Sequence, residues 1–418
     1  GRVVAVDVDD GGRIAAIRPR RSPPAPDLAE IDDADSDDAD SDEAGRPVVD
    51  QVDVEGWLLL PALAEPHGHV DKALTAERVP NPTGDLPGAI DAWIAAAAAG
   101  VFTHDDMVAR VRRALDLLIV NGVTALRSHV NCGAGSGLDH LIATQEAIGP
   151  YQDLVDIQLV ALMHSPVVGP DGGANQRWLL EAIGRGVDVV GGCPHLEPDG
   201  PAAVDLLFSI AAEHGLPVDL HTDETLDPTA LTLLDMVRGR DRVDGPVAAS
   251  HCVSLGMQSA ADQRRIAREV AAADIAVIPL PQTNLFLQGR DEPVATPRGL
   301  TAIHALGEAG VTIAAGADNV QDPFNPVGRS DPLETAALLV MAGHVMPDEA
   351  YDMVSNNVRR ALGLDPVLMR RGDPADLMAI DTPSIRGAIA DAPIDRRVFK
   401  GGRLIATSRS HRTVLHAR

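Results

Sequence analysis

The chain has 418 residues, 45% of them hydrophobic, which fits one large α/β domain with a smaller module beside it. Its formal charge is −26, and of its 35 basic side chains only Lys72 and Lys400 are lysines, which argues against nucleic acid and anionic membrane surfaces and favours a small-molecule partner. No apolar run reaches the roughly 18 to 20 residues that span a bilayer, the nearest being 92–102, so no membrane segment is expected. Cys132, Cys193 and Cys252 are scattered without a C-x-x-C pair, which argues against a disulfide framework and for a reducing, cytoplasmic location. An acidic, lysine-poor surface is also what a high-salt or GC-biased source produces.

Gly1 already stands in a strand-like pattern, so no signal peptide is expected and a leading strand is expected to be missing. Residues 2–8 and 13–17 read as short strands around Gly11-Gly12. Residues 31–44 are nearly all Asp, Ser and Ala and read as a solvated loop, since the glycine and closing glutamate of a calcium loop are missing. From Trp57 onward short β-branched runs alternate with longer helical patterns. Eight strands are expected at 57–60, 123–130, 155–163, 187–191, 217–220, 246–250, 274–280 and 311–315. Helices are expected between them at 105–120, 139–147, 175–185, 201–214, 230–238, 259–273 and 300–309. That alternation predicts an α/β fold, a (β/α)8 TIM-type barrel over residues 57–364. Helices at 332–342 and 348–362 and strands at 377–380 and 397–405 follow. The two ends of the chain, 1–56 and 365–418, are expected to pair into a small β-sandwich domain.

In such barrels the reactive groups sit where strands end, at the carboxyl face. His67 and His69 follow the first expected strand, and in extended backbone side chains two apart point the same way, so both imidazoles can reach one cation. The fifth strand runs into His221-Thr222-Asp223-Glu224, the sixth into Ser250-His251-Cys252 and the eighth into Gly316-Ala317-Asp318-Asn319. Three imidazoles and one carboxylate, with His251 and Glu224 beside them, suit a single Zn2+ or Fe2+. A divalent ion activates water for attack on a C=N or C=O carbon. Asp318 would orient that water and take its proton, Glu224 would carry a proton to the leaving amine, and His251 would polarise the reacting centre. Two-metal barrel hydrolases bridge their ions through a carbamylated lysine at the end of strand four, where neither Lys72 nor Lys400 stands, so one ion is expected. His129 and His195 read as hydrogen-bonding residues and the cysteines as buried fillers.

Pro66-His67-Gly68-His69-Val70-Asp71-Lys72, Thr103-His104-Asp105-Asp106, Arg127-Ser128-His129-Val130, His221-Thr222-Asp223-Glu224, Ser250-His251-Cys252 and Gly316-Ala317-Asp318-Asn319 stand in order at barrel-like intervals. Over nearly the whole chain they resemble the amidohydrolase superfamily, and within it the bacterial cytosine deaminase branch. The resemblance implies His67, His69, His221 and Asp318 as metal ligands, Glu224 as proton shuttle, His251 as the polarising group, and a homo-oligomer. Three positions depart from the branch: His164 stands where a glutamine reads the ring edge, Asn319 replaces a second aspartate, and Phe324 replaces a tryptophan. All three would touch substrate, so they point to a changed heterocycle or a non-ring amidine. Hydrolytic deamination releasing ammonia is the leading expectation. Hydrolysis of another C–N bond, such as an N-alkylamino-triazine or a cyclic amide, is the runner-up, and a catalytically silent scaffold is the reading from a different class.

Overall fold

The computed structural model describes residues 3–19 and 51–415, so the acidic run at 31–44 lies outside the described residues. Near the start, β1 (Val4–Val8) and β2 (Ile14–Pro19) pair as an antiparallel ribbon with Val6 opposite Ile17. The run at 57–60, expected to open the barrel, instead forms β3 (Leu58–Pro61) in a separate antiparallel sheet, and the first barrel strand is the next stretch, β4 (Leu63–Gly68). The switch happens between neighbouring residues. The Ala62 N–H donates to Asp376 O at 3.0 Å in the antiparallel sheet, whereas the Leu63 N–H donates to Gly122 O at 2.9 Å beside the barrel. Pro61, with no N–H of its own, ends the outer ladder.

The barrel continues through β5 (Val123–Cys132), β6 (Asp156–Met163), β7 (Val189–Gly191), β8 (Val218–Thr222), β9 (Val247–His251) and β10 (Ile275–Ile278), all parallel and in sequential order. Every residue of β4, β5, β7, β8, β9 and β10 is buried, as strands covered on both faces must be. The eighth expected strand, 311–315, makes no continuous ladder. It closes the barrel through isolated parallel bridges, Val277 with Ile313 and Gly68 with Asp318. Its continuation is held by a side chain, the Glu65 carboxylate, which accepts the Ala317 N–H at 2.9 Å.

Helices cover the outside close to the expected positions, for example His104–Val120, Asp139–Ile148, Gly200–His214 and Pro332–Ala342. The helix expected over 348–362 is two, Pro347–Met353 and Asn356–Ala361, because Ser355 leaves the helical region at φ −138°, ψ −96°. The second piece plugs the far end of the barrel. Val358, Ala361 and Leu362 pack on Ala64, Ala125, Ala248 and Ala276, and Leu362 O accepts from Gln158 Nε2 at 3.0 Å. A helix that hydrophobic patterning alone did not delimit, Leu86–Ala98, starts at Asp85, whose carboxylate accepts the Gly88 N–H at 2.9 Å, with Pro87 in its first turn.

After the helices come β11 (Leu377–Ile380), β12 (Arg396–Lys400) and β13 (Arg403–Ser408), which with β3 form a four-stranded antiparallel sheet in the order β13-β12-β11-β3. Val367, Leu377, Ala379 and Phe399 pack with Val6, Trp57, Leu59 and Leu404, so strands from both ends of the chain share one apolar layer. Buried ion pairs tie this sheet to its surroundings. Arg396 holds Asp331 with two bonds, at 3.0 and 2.7 Å, and Asp376 receives Arg359 Nη1 at 2.9 Å and Lys400 Nζ at 2.8 Å. Among the described residues no helix is long and apolar enough to cross a membrane.

Candidate metal centre and catalytic cavity

His67 lies at the end of β4 and His69 just beyond it, His221 within β8 and Asp318 on the segment that closes the barrel, and all four are buried. His67 Nε2 and His69 Nε2 stand 3.1 and 3.2 Å from His221 Nε2. Asp318 Oδ1 lies 3.1 Å from His69 Nε2 and 3.8 Å from His67 Nε2. Asp318 itself sits at φ +66°, a left-handed conformation that a non-glycine residue adopts at a cost, and which here accompanies a functional placement.

The opposite ring nitrogens determine what those Nε2 atoms carry. His69 Nδ1 donates to His129 O at 3.0 Å, which leaves Nε2 as a lone pair. His67 Nδ1 is 2.8 Å from Ser250 Oγ, and Ser250 Oγ is 2.8 Å from Asp219 Oδ1. Burial raises the Asp219 pKa, but His129 and Arg127 together hold it below the ordinary carboxylate range, so Asp219 is an acceptor only. The Ser250 hydroxyl therefore donates to Asp219 and accepts the His67 Nδ1–H, leaving His67 Nε2 as a second lone pair.

Burial, reinforced by the neighbouring histidines, pushes the pKa values of His67 and His221 well below the usual imidazole range. That of His69 falls to about 4, through burial and then Lys72. One hydrogen on His221 Nε2 cannot satisfy two facing lone pairs, and both Asp318 oxygens are buried without a hydrogen-bond donor. A divalent cation resolves both deficits at once, so the donor set fits one, and nitrogen with carboxylate ligands suits zinc or iron. No lysine stands at the end of β7, which runs into Gly191-Gly192-Cys193.

Next to this cluster, His251 ends β9 at φ +69° and is followed by Cys252 at φ +48°, a left-handed kink that turns the ring toward the centre. Its Nδ1 is 3.4 Å from Glu224 Oε1 and its Nε2 4.0 Å from Asp318 Oδ2, so it stands between the two carboxyl groups. Asn284 Nδ2 donates to Glu224 Oε1 at 3.0 Å. Burial, and then the charge of Asp318, raises the Glu224 pKa well above the ordinary carboxyl range, which favours its protonated form. Asp318 is held below that range despite burial, by His69 at 3.1 Å and the charge of His251. Two carboxyl groups whose pKa values are pushed in opposite directions thus flank one imidazole, an arrangement suited to moving protons between an attacking and a leaving group.

These residues open into a cavity of about 390 Å3. The three residues singled out as departures all line it. His164, just past β6, gives its Nδ1 hydrogen to Ala134 O at 2.9 Å, Asn319 Nδ2 donates to Asp322 Oδ2 at 2.7 Å, and the Phe324 ring lies 5.0 Å from Lys72 Nζ.

Several neighbours were not assigned to the site from sequence. His129 packs its ring 3.8 Å from that of His67, and Glu65 accepts the His67 N–H at 3.1 Å while bracing Ala317. His195 and Cys193 line the cavity, where burial holds the His195 pKa down to about 4 and pushes the Cys193 thiol up to about 12. Trp93, Ile90 and Ile94 of the Leu86–Ala98 helix form an apolar wall. The signals were present in the Arg127-Ser128-His129 motif and in the Asp85/Pro87 helix start, but neither residue type announces a partner fifty positions away.

Residues 96–405 match the amidohydrolase family. The chain belongs to the amidohydrolase family. It is 31% identical to a pterin deaminase of Rhizobium rhizogenes over 366 residues, covering 86% of this chain and 83% of that one. Among solved structures it is similar to 5-methylcytosine deaminase from Klebsiella pneumoniae at 28% identity and a TM-score of 0.82, covering 100% of this chain and 96% of that chain. It is also similar to N-isopropylammelide isopropylaminohydrolase from Burkholderia multivorans at 25% identity and a TM-score of 0.76, covering 96% and 95%.

Proposed function

We propose that this amidohydrolase hydrolytically deaminates an amino-substituted nitrogen heterocycle of bicyclic, pterin-like size, releasing ammonia. One observation carries the reading: a buried acid of raised pKa, Glu224, and a donor set fit for a divalent ion face the same cavity of about 390 Å3, with His251 between them. His67, His69, His221 and Asp318 would hold one Zn2+ or Fe2+, which would supply Lewis-acid activation of water near neutral pH. Asp318, with both oxygens buried and without a hydrogen-bond donor, would take up a proton from the attacking water. Glu224, with Oε1 anchored by Asn284, gives its proton to the departing NH2 group, so that water and amidine become carbonyl and ammonia. His251 Nε2, buried and without a partner, hydrogen-bonds at the reacting centre. His164 offers its Nε2 as an acceptor to the ring edge, since its Nδ1 is committed, while Asn319 and Phe324 close one side.

Pterin-like size is supported by the cavity and by the 31% identical pterin deaminase. The second reading, release of an alkylamine from an aminotriazine, is supported by the apolar wall, where Ile94 and Leu196 line the cavity yet remain 57% and 45% exposed. The reading also takes in a cytoplasmic homo-oligomer, the location supported by three unpaired cysteines.

The test is ammonia release by zinc-loaded protein from pterin, cytosine and 5-methylcytosine, with isopropylamine release from N-isopropylammelide measured in parallel. Pterin turnover that disappears in Glu224→Gln supports deamination. Amine release without ammonia release replaces it with the second reading, and neither product from a metal-loaded protein overturns both.

A further inference from the structure

Lys72 is one of only two lysines in a chain of net charge −26, and it is 5% exposed on the wall of the reaction cavity. Its Nζ lies 5.0 Å from the Phe324 ring centre, a cation–π distance. The polar atom beside it is His69 Nδ1 at 3.2 Å, but that nitrogen already gives its hydrogen to His129 O at 3.0 Å and has no lone pair to offer an ammonium.

Among the described residues no carboxylate oxygen comes within the 4.0 Å that would make an ion pair with Lys72. The adjacent Asp71 turns away, its Oδ2 accepting from His140 Nδ1 at 3.1 Å and from the Asn131 N–H at 3.2 Å. Glu224 Oε1 is taken up by Asn284 Nδ2, and although the charge of Lys72 reaches Asp71, Asp318 and Asp322, none of them pairs with it directly. A buried ammonium with no directly paired anion is costly, and an anionic ligand in this cavity would supply one.

We propose that Lys72 docks an anionic oxygen of the substrate, so that the preferred substrates are heterocycles bearing a carboxylate or an ionised ring oxygen. This rests on the deaminase reading above and narrows it. The ammonium donates to the anionic oxygen in a charge-assisted hydrogen bond, while Phe324 covers its other side. In a protein whose surface repels anions, such a cation gives the cavity a specificity that apolar contacts alone do not supply.

The presence of just two lysines gives a direct readout. In zinc-loaded Glu224→Gln protein labelled with ε-13C-lysine, Lys72 and Lys400 give the only two lysine side-chain signals. Probes are benzoate against benzamide and pterin-6-carboxylate against pterin, the last also in mild alkali where its ring oxygen ionises. The Lys72 signal is expected to move with both carboxylates and not with their neutral partners. Lys72→Met should weaken carboxylate binding roughly 10- to 100-fold and neutral binding less than about threefold, with Lys72→Arg retaining the preference.

A response to pterin that appears only in alkali supports the ring oxygen as the anionic source. Equal weakening of charged and neutral probes, or a Lys72 signal that no carboxylate moves, overturns the proposal. If benzoate moves Lys72 while neither pterin binds, the pterin-size reading fails and the role of Lys72 stands.

Discussion

Ser250→Ala removes a single buried hydroxyl that the structure gives two jobs. Ser250 Oγ is 2.8 Å from both His67 Nδ1 and Asp219 Oδ1, and Arg127 Nη1 holds the other Asp219 oxygen at 2.9 Å. The chain Arg127–Asp219–Ser250 fixes the hydrogen of His67 on Nδ1 and keeps Nε2 free for a metal ion. Without the hydroxyl, His67 Nδ1–H and one Asp219 oxygen lose a partner in a site where both side chains are fully buried. Each orphaned group costs about 1–3 kcal/mol, so the fold should lose about 2–6 kcal/mol. The metal should bind 10- to 100-fold more weakly, about 1.4–2.7 kcal/mol, because the ring is free to turn or to take the other tautomer. Competition with a chelator of known zinc affinity measures the second quantity and urea unfolding of the metal-free protein the first. Zinc affinity within twofold of the parent, with or without lost stability, refutes the claim that Ser250 orients His67.

Glu224→Gln keeps the shape and the Asn284 contact but cannot give up a carboxyl proton, so kcat should fall by about 10²–10⁴ with zinc content unchanged; kcat within tenfold of the parent argues that the leaving group takes its proton elsewhere. Asp376→Asn strands Arg359 and leaves Lys400 with Asp156 as its remaining carboxylate, the two basic side chains being 4% and 16% exposed, and should cost about 3 kcal/mol in urea unfolding. Burial raises the Asp376 pKa, but Lys400, the Gly401 N–H and Arg359 outweigh it and the carboxylate stays below its ordinary value. The sign follows: its contribution is present above the unfolded-state pKa of about 3.9 and lost as the pH falls through the folded value, so the variant should show a shallower acid-side decline than the parent. Asp85→Ala removes the cap of the Leu86–Ala98 helix, costs about 1 kcal/mol, and should raise KM more than it lowers kcat, because that helix walls the cavity without touching the metal cluster.

The barrel was legible because buried parallel strands such as β10 are continuous apolar runs and the helices between them carry strong start signals, Thr103 before His104 for one. Its first strand was misplaced because Leu58, Leu59 and Leu60 look like any barrel strand; what takes them to the other sheet is pairing with Met378 and Ala379, more than three hundred residues on. The eighth strand, read as regular, is held by isolated bridges to Val277 and Gly68 and by Glu65 at Ala317 instead of by a continuous ladder, and no local pattern records that. The convergence of His67, His69, His221 and Asp318 was readable since each stands at or just past the end of an expected strand, where barrel geometry brings side chains together. His129 and Glu65 were not, because burial and a partner on another strand, not residue type, define their part.

The same contrast explains how rigidity is distributed. His67, His221 and His251 belong to strands locked in the parallel sheet, so their ring positions follow from the backbone register, for example His221 beside Ser250 across β8 and β9. Asp318 instead sits on the irregular closing segment at positive φ, held by the Gly68 bridge and by Glu65 through Ala317. Glu65 is buried with its pKa raised by that burial to about 8, and its carboxyl group spans from the His67 N–H to the Ala317 N–H. One side chain therefore sets the distance between the histidine end of the centre and its carboxylate end. A side-chain cluster split between a rigid ladder and a segment that one side chain braces keeps imidazole geometry fixed while leaving Asp318, the group proposed to take up a proton, on the part of the barrel without a continuous ladder.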